Sequence, residues 1–272
     1  MTQAVVFLGP TLPAEQAAAF SFRVLPPARQ GDVYRAVRAW RPAAVGIVDG
    51  LFLDVPAVWH REILWALAQG VHVYGAASMG ALRAAELECF GMRGVGRIFE
   101  AYQTGVWPGF PEKFEDDDEV AVVHAPMEAG GAALSEAMVD VRATLLAAHA
   151  ASVIGRRTCL RLAAAMKRRH FAERSFAALV SAAPSGLRDW LPTGRVAQKR
   201  LDALAMLEAM RAARPHWGEP FAPKFRFERA LVWQRFKAAA HAAEQRARAA
   251  AVGRLRGGVP LLRKEDVDEW LG

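Results

Sequence analysis

The chain has 272 residues, 53% hydrophobic and 23% charged, enough for one large folded unit or two small ones; that excludes a disordered or fibrous chain, and no apolar run approaches the ~18 residues that span a bilayer. The net charge of +7 is split unevenly: residues 1–150 hold 11 Lys/Arg against 17 Asp/Glu, a net −6, and residues 151–272 hold 24 against 11, a net +13. Two cysteines, Cys89 and Cys159, are too few for a disulfide framework or a Cys-rich zinc site, and the start lacks a secretory signal, so a cytoplasmic protein without a membrane partner is expected.

Ala4–Leu8 reads as a strand ending at Gly9-Pro10. Asp32 can cap a helix through about Trp40, and Ala44–Val48 is a second strand ending at Asp49-Gly50. Pro56 suits the first turn of a helix that Gly70 ends, and Val71–Tyr74 is a third strand. A further helix follows through about Cys89, and Val120–His124 is a fourth strand candidate. Strands separated by helices imply a mostly parallel sheet, with ligands expected at the carboxyl ends of its strands. Beyond residue 125 the spacing is helical over Ala132–Ala150, Thr158–His170, Arg195–Ala213 and Phe225–Val252. The expected fold is an α/β core over residues 1–125 followed by an all-helical extension, 126–272, packed on it.

Four segments can carry chemistry. Ser78, in Gly75-Ala-Ala-Ser-Met-Gly-Ala-Leu-Arg83, falls at a strand-to-helix turn where free amides can hold an oxyanion. A serine so placed is equally an N-cap. His60, in Trp59-His-Arg-Glu62, can act as an acid or base, or decorate a helix surface. The carboxylates Glu115–Glu119 can form a solvated loop, hold a divalent metal or dock a basic partner, though they lack EF-hand spacing. Lys199 opens a helix and, if buried, can lose its proton. No phosphate-binding loop and no metal motif is present, so no cofactor and no metal are expected. The basic second half lacks a nucleic-acid motif, and nucleic acid is not an expected partner.

Several blocks together resemble the TfuA family: Val6-Phe-Leu-Gly-Pro-Thr-Leu12, Gly46-Ile-Val-Asp-Gly50, Val58-Trp-His-Arg-Glu-Ile-Leu64, the run from Val73 to Leu87 around Ala77-Ser-Met-Gly80, Gly91-Met-Arg-Gly-Val-Gly96 and Asp117-Asp-Glu-Val-Ala-Val122. The resemblance implies an accessory role in peptide backbone thioamidation beside a YcaO enzyme, which activates the amide of a precursor or target peptide with ATP. It implies hydrolysis of a thiocarboxylated ThiS-like sulfur carrier to release sulfide for that partner. A non-catalytic adaptor that gathers YcaO, carrier and peptide is the alternative. A Ser–Lys pair is attributed to the family, and Ser78 matches its serine. Ala77, Met79 and Gly80 would flank the oxyanion. Asp49, His60, Arg61, Glu62, Arg83, Glu86 and Asp118 fall in the matching blocks. Family members often carry lysine where this chain has Arg61, and an arginine stays protonated and cannot be the general base. Lys199 and Lys113 are then the candidates, with Lys199 favoured.

Overall fold

The computed structural model describes residues 4–51, 55–126 and 131–256. Five strands form one sheet: β1 (Ala4–Phe7), β2 (Arg23–Leu25), β3 (Ala44–Ile47), β4 (His72–Ala76) and β5 (Arg93–Val95). The order is β2-β1-β3-β4-β5 and every pairing is parallel, with Val6 beside Val24 and Gly46, and Gly46 beside Tyr74. The helices between them are α1 (Ala14–Ala18), α2 (Asp32–Trp40), α3 (His60–Ala68) and α4 (Met79–Leu87), and α5 (Arg97–Thr104) follows β5. Then come α6 (Met138–Ala150), α7 (Arg156–Lys167), α8 (Phe176–Ser181), α9 (Ser185–Gly194), α10 (Gln198–Ala213) and α11 (Leu231–Arg256), with no strand among the described residues after β5.

A parallel sheet must bury both faces. One face, with Val5, Phe7, Val45, Ile47 and Val73, packs against α2, α3 and α4 through Val37, Ile63, Leu67 and Ala84. The opposite face needs help, because α1 has only five residues. That help comes from α10, whose Ala203, Met206, Leu207 and Met210 cluster with Ala4, Val6, Ala44 and Tyr74. Gly46 makes room for it: a Cβ there would lie 2.8 Å from the Met210 sulfur. A helix from the basic second half therefore completes the core layer of the first.

The sheet reverses direction between β1 and β3, since β2 lies to one side of β1 and β3, β4 and β5 to the other. Loops diverge at such a point and leave a crevice at the strand ends. Two strands, β2 and β5, escape the sequence patterns because each has three residues, and β5 holds an arginine and a glycine. The expected fourth strand at Val120–His124 does not form. Asp117–Glu119 is a 3₁₀ turn, and the chain beyond it is an extended strap with an isolated bridge between His124 and Ala133. Sheet pairing beside β4 is taken by β5 instead.

Three acids, Glu62 and Asp202 buried and Asp140 half-buried, join helix starts across the fold. Glu62 accepts from the N–H groups of Gly31, Tyr34 and Trp59 at 2.9–3.2 Å, closing the N-termini of α2 and α3. Asp140 accepts the Lys199 N–H at 2.9 Å and Asp202 accepts the Ile98 N–H at 2.8 Å, which close α10 and α5. Burial pushes the Glu62 carboxyl up to about 7, against the opposing effect of its N–H donors. The folded protein thus holds a proton that the unfolded chain gives up near 4.5, and this contribution to stability falls as pH rises from about 4.5 to 7. Glu62→Gln should flatten that slope in denaturation titrations. Glu62→Ala should lower stability by about 1–3 kcal/mol or more, because buried N–H donors lose their acceptor.

Candidate active site

Ser78 stands between β4 and α4, on a turn under backbone strain. The preceding Ala77 has φ +66°, a region that residues with a Cβ rarely occupy, and the Ser78 N–H donates to the Ala76 carbonyl at 2.8 Å across it. This three-residue turn swings the chain from strand into helix within two residues. Helix α4 can start so close to the sheet only because of two glycines. A Cβ on Gly80 would lie 1.8 Å from the Ile47 carbonyl oxygen, and one on Gly75 would lie 2.1 Å from the Gly80 oxygen.

Ser78 occupies the N-cap position of α4 yet makes no side-chain cap bond, and its ψ of −127° lies outside the extended range of capping residues. Its hydroxyl is not spent on the helix. Ser78 lines a small crevice at the switch point of the sheet. Pro10 after β1, Pro27 after β2 and Asp49, Gly50 and Leu51 after β3 form part of the wall. The strap supplies the rest through Val120, Val122 and His124. Of the expected oxyanion amides, Gly80 N–H is already bonded to the Val48 carbonyl at 3.2 Å. The Met79 N–H, the first of α4, has no acceptor among the described residues. Ala77 shapes the turn and is fully buried.

Asp49 is a structural clamp as well as a wall residue. It accepts from the Gly9 N–H at 2.9 Å, the Thr11 N–H at 3.1 Å and the Thr11 hydroxyl at 2.6 Å, fixing the loop after β1. Lys199 is buried and donates from Nζ to the Val120 carbonyl at 2.9 Å. Burial pushes its ammonium below the ordinary lysine range, while the charges of Asp49 and Asp140 pull the other way. Asp140 itself is pushed up to about 6 by burial. Lys199 thus lies behind the strap, touching a wall residue without being one of the crevice-lining residues.

The remaining expected residues lie elsewhere. His60 Nε2 is 2.7 Å from Glu86, which also accepts from Arg83 at 2.7 Å, and Arg83 donates to the Val58 carbonyl at 2.9 Å; together they form a surface network joining α3 and α4. Although its burial works the other way, His60 and Arg83 hold the Glu86 carboxyl below the usual range. Arg61 faces the segment before α11, 3.3 Å from the Glu228 carbonyl and over the Phe227 ring. Glu62 is the helix-closing acid already described. Lys113 is exposed and paired with Glu115.

Part of the acidic run, Asp116, Asp118 and Glu119, is engaged by cations of the same chain. Glu119 takes two hydrogen bonds from Arg142, at 2.8 and 2.9 Å, with both side chains 1% exposed. Asp118 pairs with Lys167 and Arg174, and Arg174 Nη1 also donates to the Asp118 carbonyl at 2.7 Å. Burial works to raise the Asp118 carboxyl, but those cations hold it below the usual range. Lys167 further reaches Asp116 at 2.9 Å. No cluster able to hold a metal ion occurs among the described residues. The run is the anchor of the strap, and Arg142 and Arg174 are site-supporting residues that sequence patterns miss; five adjacent carboxylates with only Lys113 close by in sequence were the signal that partners must come from afar. His124 was missed because it closed a presumed strand.

Arg142→Ala should cost about 1.5–3 kcal/mol, since the buried Glu119 loses both guanidinium donors and keeps only Lys167, at 3.0 Å. Urea unfolding of Arg142→Ala beside Arg142→Met/Glu119→Leu checks this, and the apolar pair should recover most of the loss.

No helix among the described residues is long and apolar enough to cross a membrane. No curated protein matches the chain. The family model described as TfuA-like protein matches residues 49–175, a stretch that takes in Asp49, Ser78, the strap and both of its arginines and ends before Lys199. Residues 49–175, just under half of the chain, are similar to the TfuA family.

Proposed function

We propose that the protein is a serine hydrolase acting on the C-terminal thiocarboxylate of a small ThiS-like sulfur carrier, releasing sulfide for a partner YcaO enzyme in peptide thioamidation. The observation that carries this reading is the state of Ser78. Its hydroxyl makes no cap bond, follows a strained turn and borders the crevice beside the unpaired Met79 N–H. A hydroxyl kept out of a cap that its position offers is available for attack on a carbonyl. The Met79 N–H, at the positive end of α4, suits the negative charge that then develops on oxygen. Sulfide leaves more readily than an amine, so the site needs less acid assistance. Pro10, Pro27 and Gly50 on three loops narrow the crevice, which suits a slim peptide tail entering from the strand ends. The match of residues 49–175 to the TfuA-like family model supports the partner and the sulfur chemistry.

Ser78→Ala should cut sulfide release from a thiocarboxylated carrier by about 10³-fold or more. Because no cap bond is lost, its stability should stay within about 0.5 kcal/mol of wild type. Sulfide detection and carrier mass, with melting measured in parallel, check both. Near-native hydrolysis by a folded Ser78→Ala would remove the hydrolase reading. A wild type that stimulates YcaO without hydrolysing carrier would mark an adaptor.

Docking has a candidate surface. Arg157 and Arg161 on α7 and Arg168 just past its end are exposed along one stripe, with no ion pair among the described residues. Binding to the cognate YcaO should weaken as salt rises, and Arg157→Glu/Arg161→Glu should lower affinity about tenfold or more while leaving carrier hydrolysis unchanged. Titration calorimetry at two salt concentrations checks this.

A further inference from the structure

Attack by Ser78 requires a group to take its proton, and the resemblance pointed to a lysine. Lys199 is placed poorly for that task. It sits behind the strap, and its Nζ is engaged by the Val120 carbonyl at 2.9 Å. The crevice wall itself carries a different group. His124 lines the same crevice as Ser78. Its Nδ1 lies 2.7 Å from the Ala125 carbonyl oxygen. A carbonyl only accepts, so Nδ1 carries the proton and Nε2 of the neutral ring keeps its lone pair. Nε2 has no hydrogen-bond partner among the described residues. The backbone around the ring is pinned on both sides: Leu134 N–H donates to the Val123 carbonyl at 2.7 Å, Ala125 N–H to the Ala132 carbonyl at 2.8 Å, and Val123 N–H to the Ser135 hydroxyl at 2.8 Å.

We propose that His124 is the proton-transfer group of the crevice and that Lys199 is a positioning residue that holds the strap through Val120. This rests on the reading of Ser78 as the nucleophile. As Ser78 Oγ bonds to the thiocarboxylate carbon, its proton passes to His124 Nε2. The tetrahedral centre then collapses, the carbon–sulfur bond breaks, and the proton leaves with sulfur as hydrosulfide. Water, giving a proton to the same nitrogen, attacks the acyl-serine; the proton returns to Ser78 Oγ, and the carrier departs as its carboxylate with release of one proton. The sum is thiocarboxylate and water giving carboxylate, hydrosulfide and a proton.

The test uses the full chain and two probes: a ThiS-like carrier prepared as the C-terminal thiocarboxylate, and a fluorophosphonate that labels activated serines. His124→Ala should lower sulfide release by ~10²–10⁴-fold. Added imidazole should restore part of that rate saturably, and should restore nothing in Ser78→Ala. His124→Asn keeps an N–H for the Ala125 carbonyl and lacks the second ring nitrogen, so it should fold and match His124→Ala. Lys199→Met should lose rate without responding to imidazole and should keep fluorophosphonate labelling within about tenfold of wild type, since general-base loss has the larger ~10²–10⁴-fold signature. Hydrolysis by both His124 variants within tenfold of wild type, with Ser78→Ala inactive, would overturn the role of His124 and leave Ser78 standing. Loss of rate in His124→Asn with wild-type labelling and no imidazole response would overturn it as well. A wild type whose hydrolysis and labelling do not depend on Ser78 would overturn the nucleophile reading and this inference together.

Discussion

The contact on which the site depends is the approach of the first turn of α4 to the ends of β3 and β4. Helix and sheet meet backbone to backbone there, with Gly80 against the Ile47 carbonyl and Gly75 against Gly80. No side chain of any size fits between them. The close contact forces the chain to turn at once, and Ala77 is driven to positive φ. A non-glycine residue in that region costs on the order of 1–3 kcal/mol, and it persists only where its surroundings over-determine it. Ser78 inherits its position from this geometry: at the head of a helix, yet turned so that it does not cap it.

The second constraint is electrostatic. The strap that closes the crevice has little regular structure of its own and is held by distant cations on α6 and α7 and just before α8. Arg142 and Arg174 are buried guanidiniums whose planar fork suits paired carboxylate and carbonyl acceptors. Through Lys167 and Arg174, the basic second half fastens onto the acidic run of the first, while Arg142 secures Glu119 from within that first half. Charge that looks like a docking surface in the sequence is, for Asp116, Asp118 and Glu119, an intramolecular contact. The stripe on α7 remains outside that fastening.

Much of this was legible in the amino-acid order. The strands at β1, β3 and β4 follow apolar runs ended by Gly-Pro, Asp-Gly and a small-residue turn, and those stops mark the crevice walls. Asp49 and Ser78 fall at the stops, which is why both surface as site residues. The short strands β2 and β5 carry too few residues for a period to register. The run Val120–Val123 has the apolarity of a strand, but its environment is decided by Arg142 and Arg174 far along the chain. Whether Ser78 caps α4 also could not be read from spacing, because the answer lies in two backbone angles. The site of Lys199 illustrates the same limit: its burial follows from α10 lying on the sheet, not from its neighbours in sequence.

The placement of α10 bears on how this chain comes apart. The stretch that matches the family model, 49–175, omits β1, β2 and β3, three of the five strands of the sheet, and α10, which roofs one of its faces. Cut out alone, it would present bare strand edge and an uncovered apolar layer to water. The matching stretch alone is thus not a self-sufficient folding unit. Unfolding should be a single cooperative event in which the crevice, the strap and the late helix α10 are lost together.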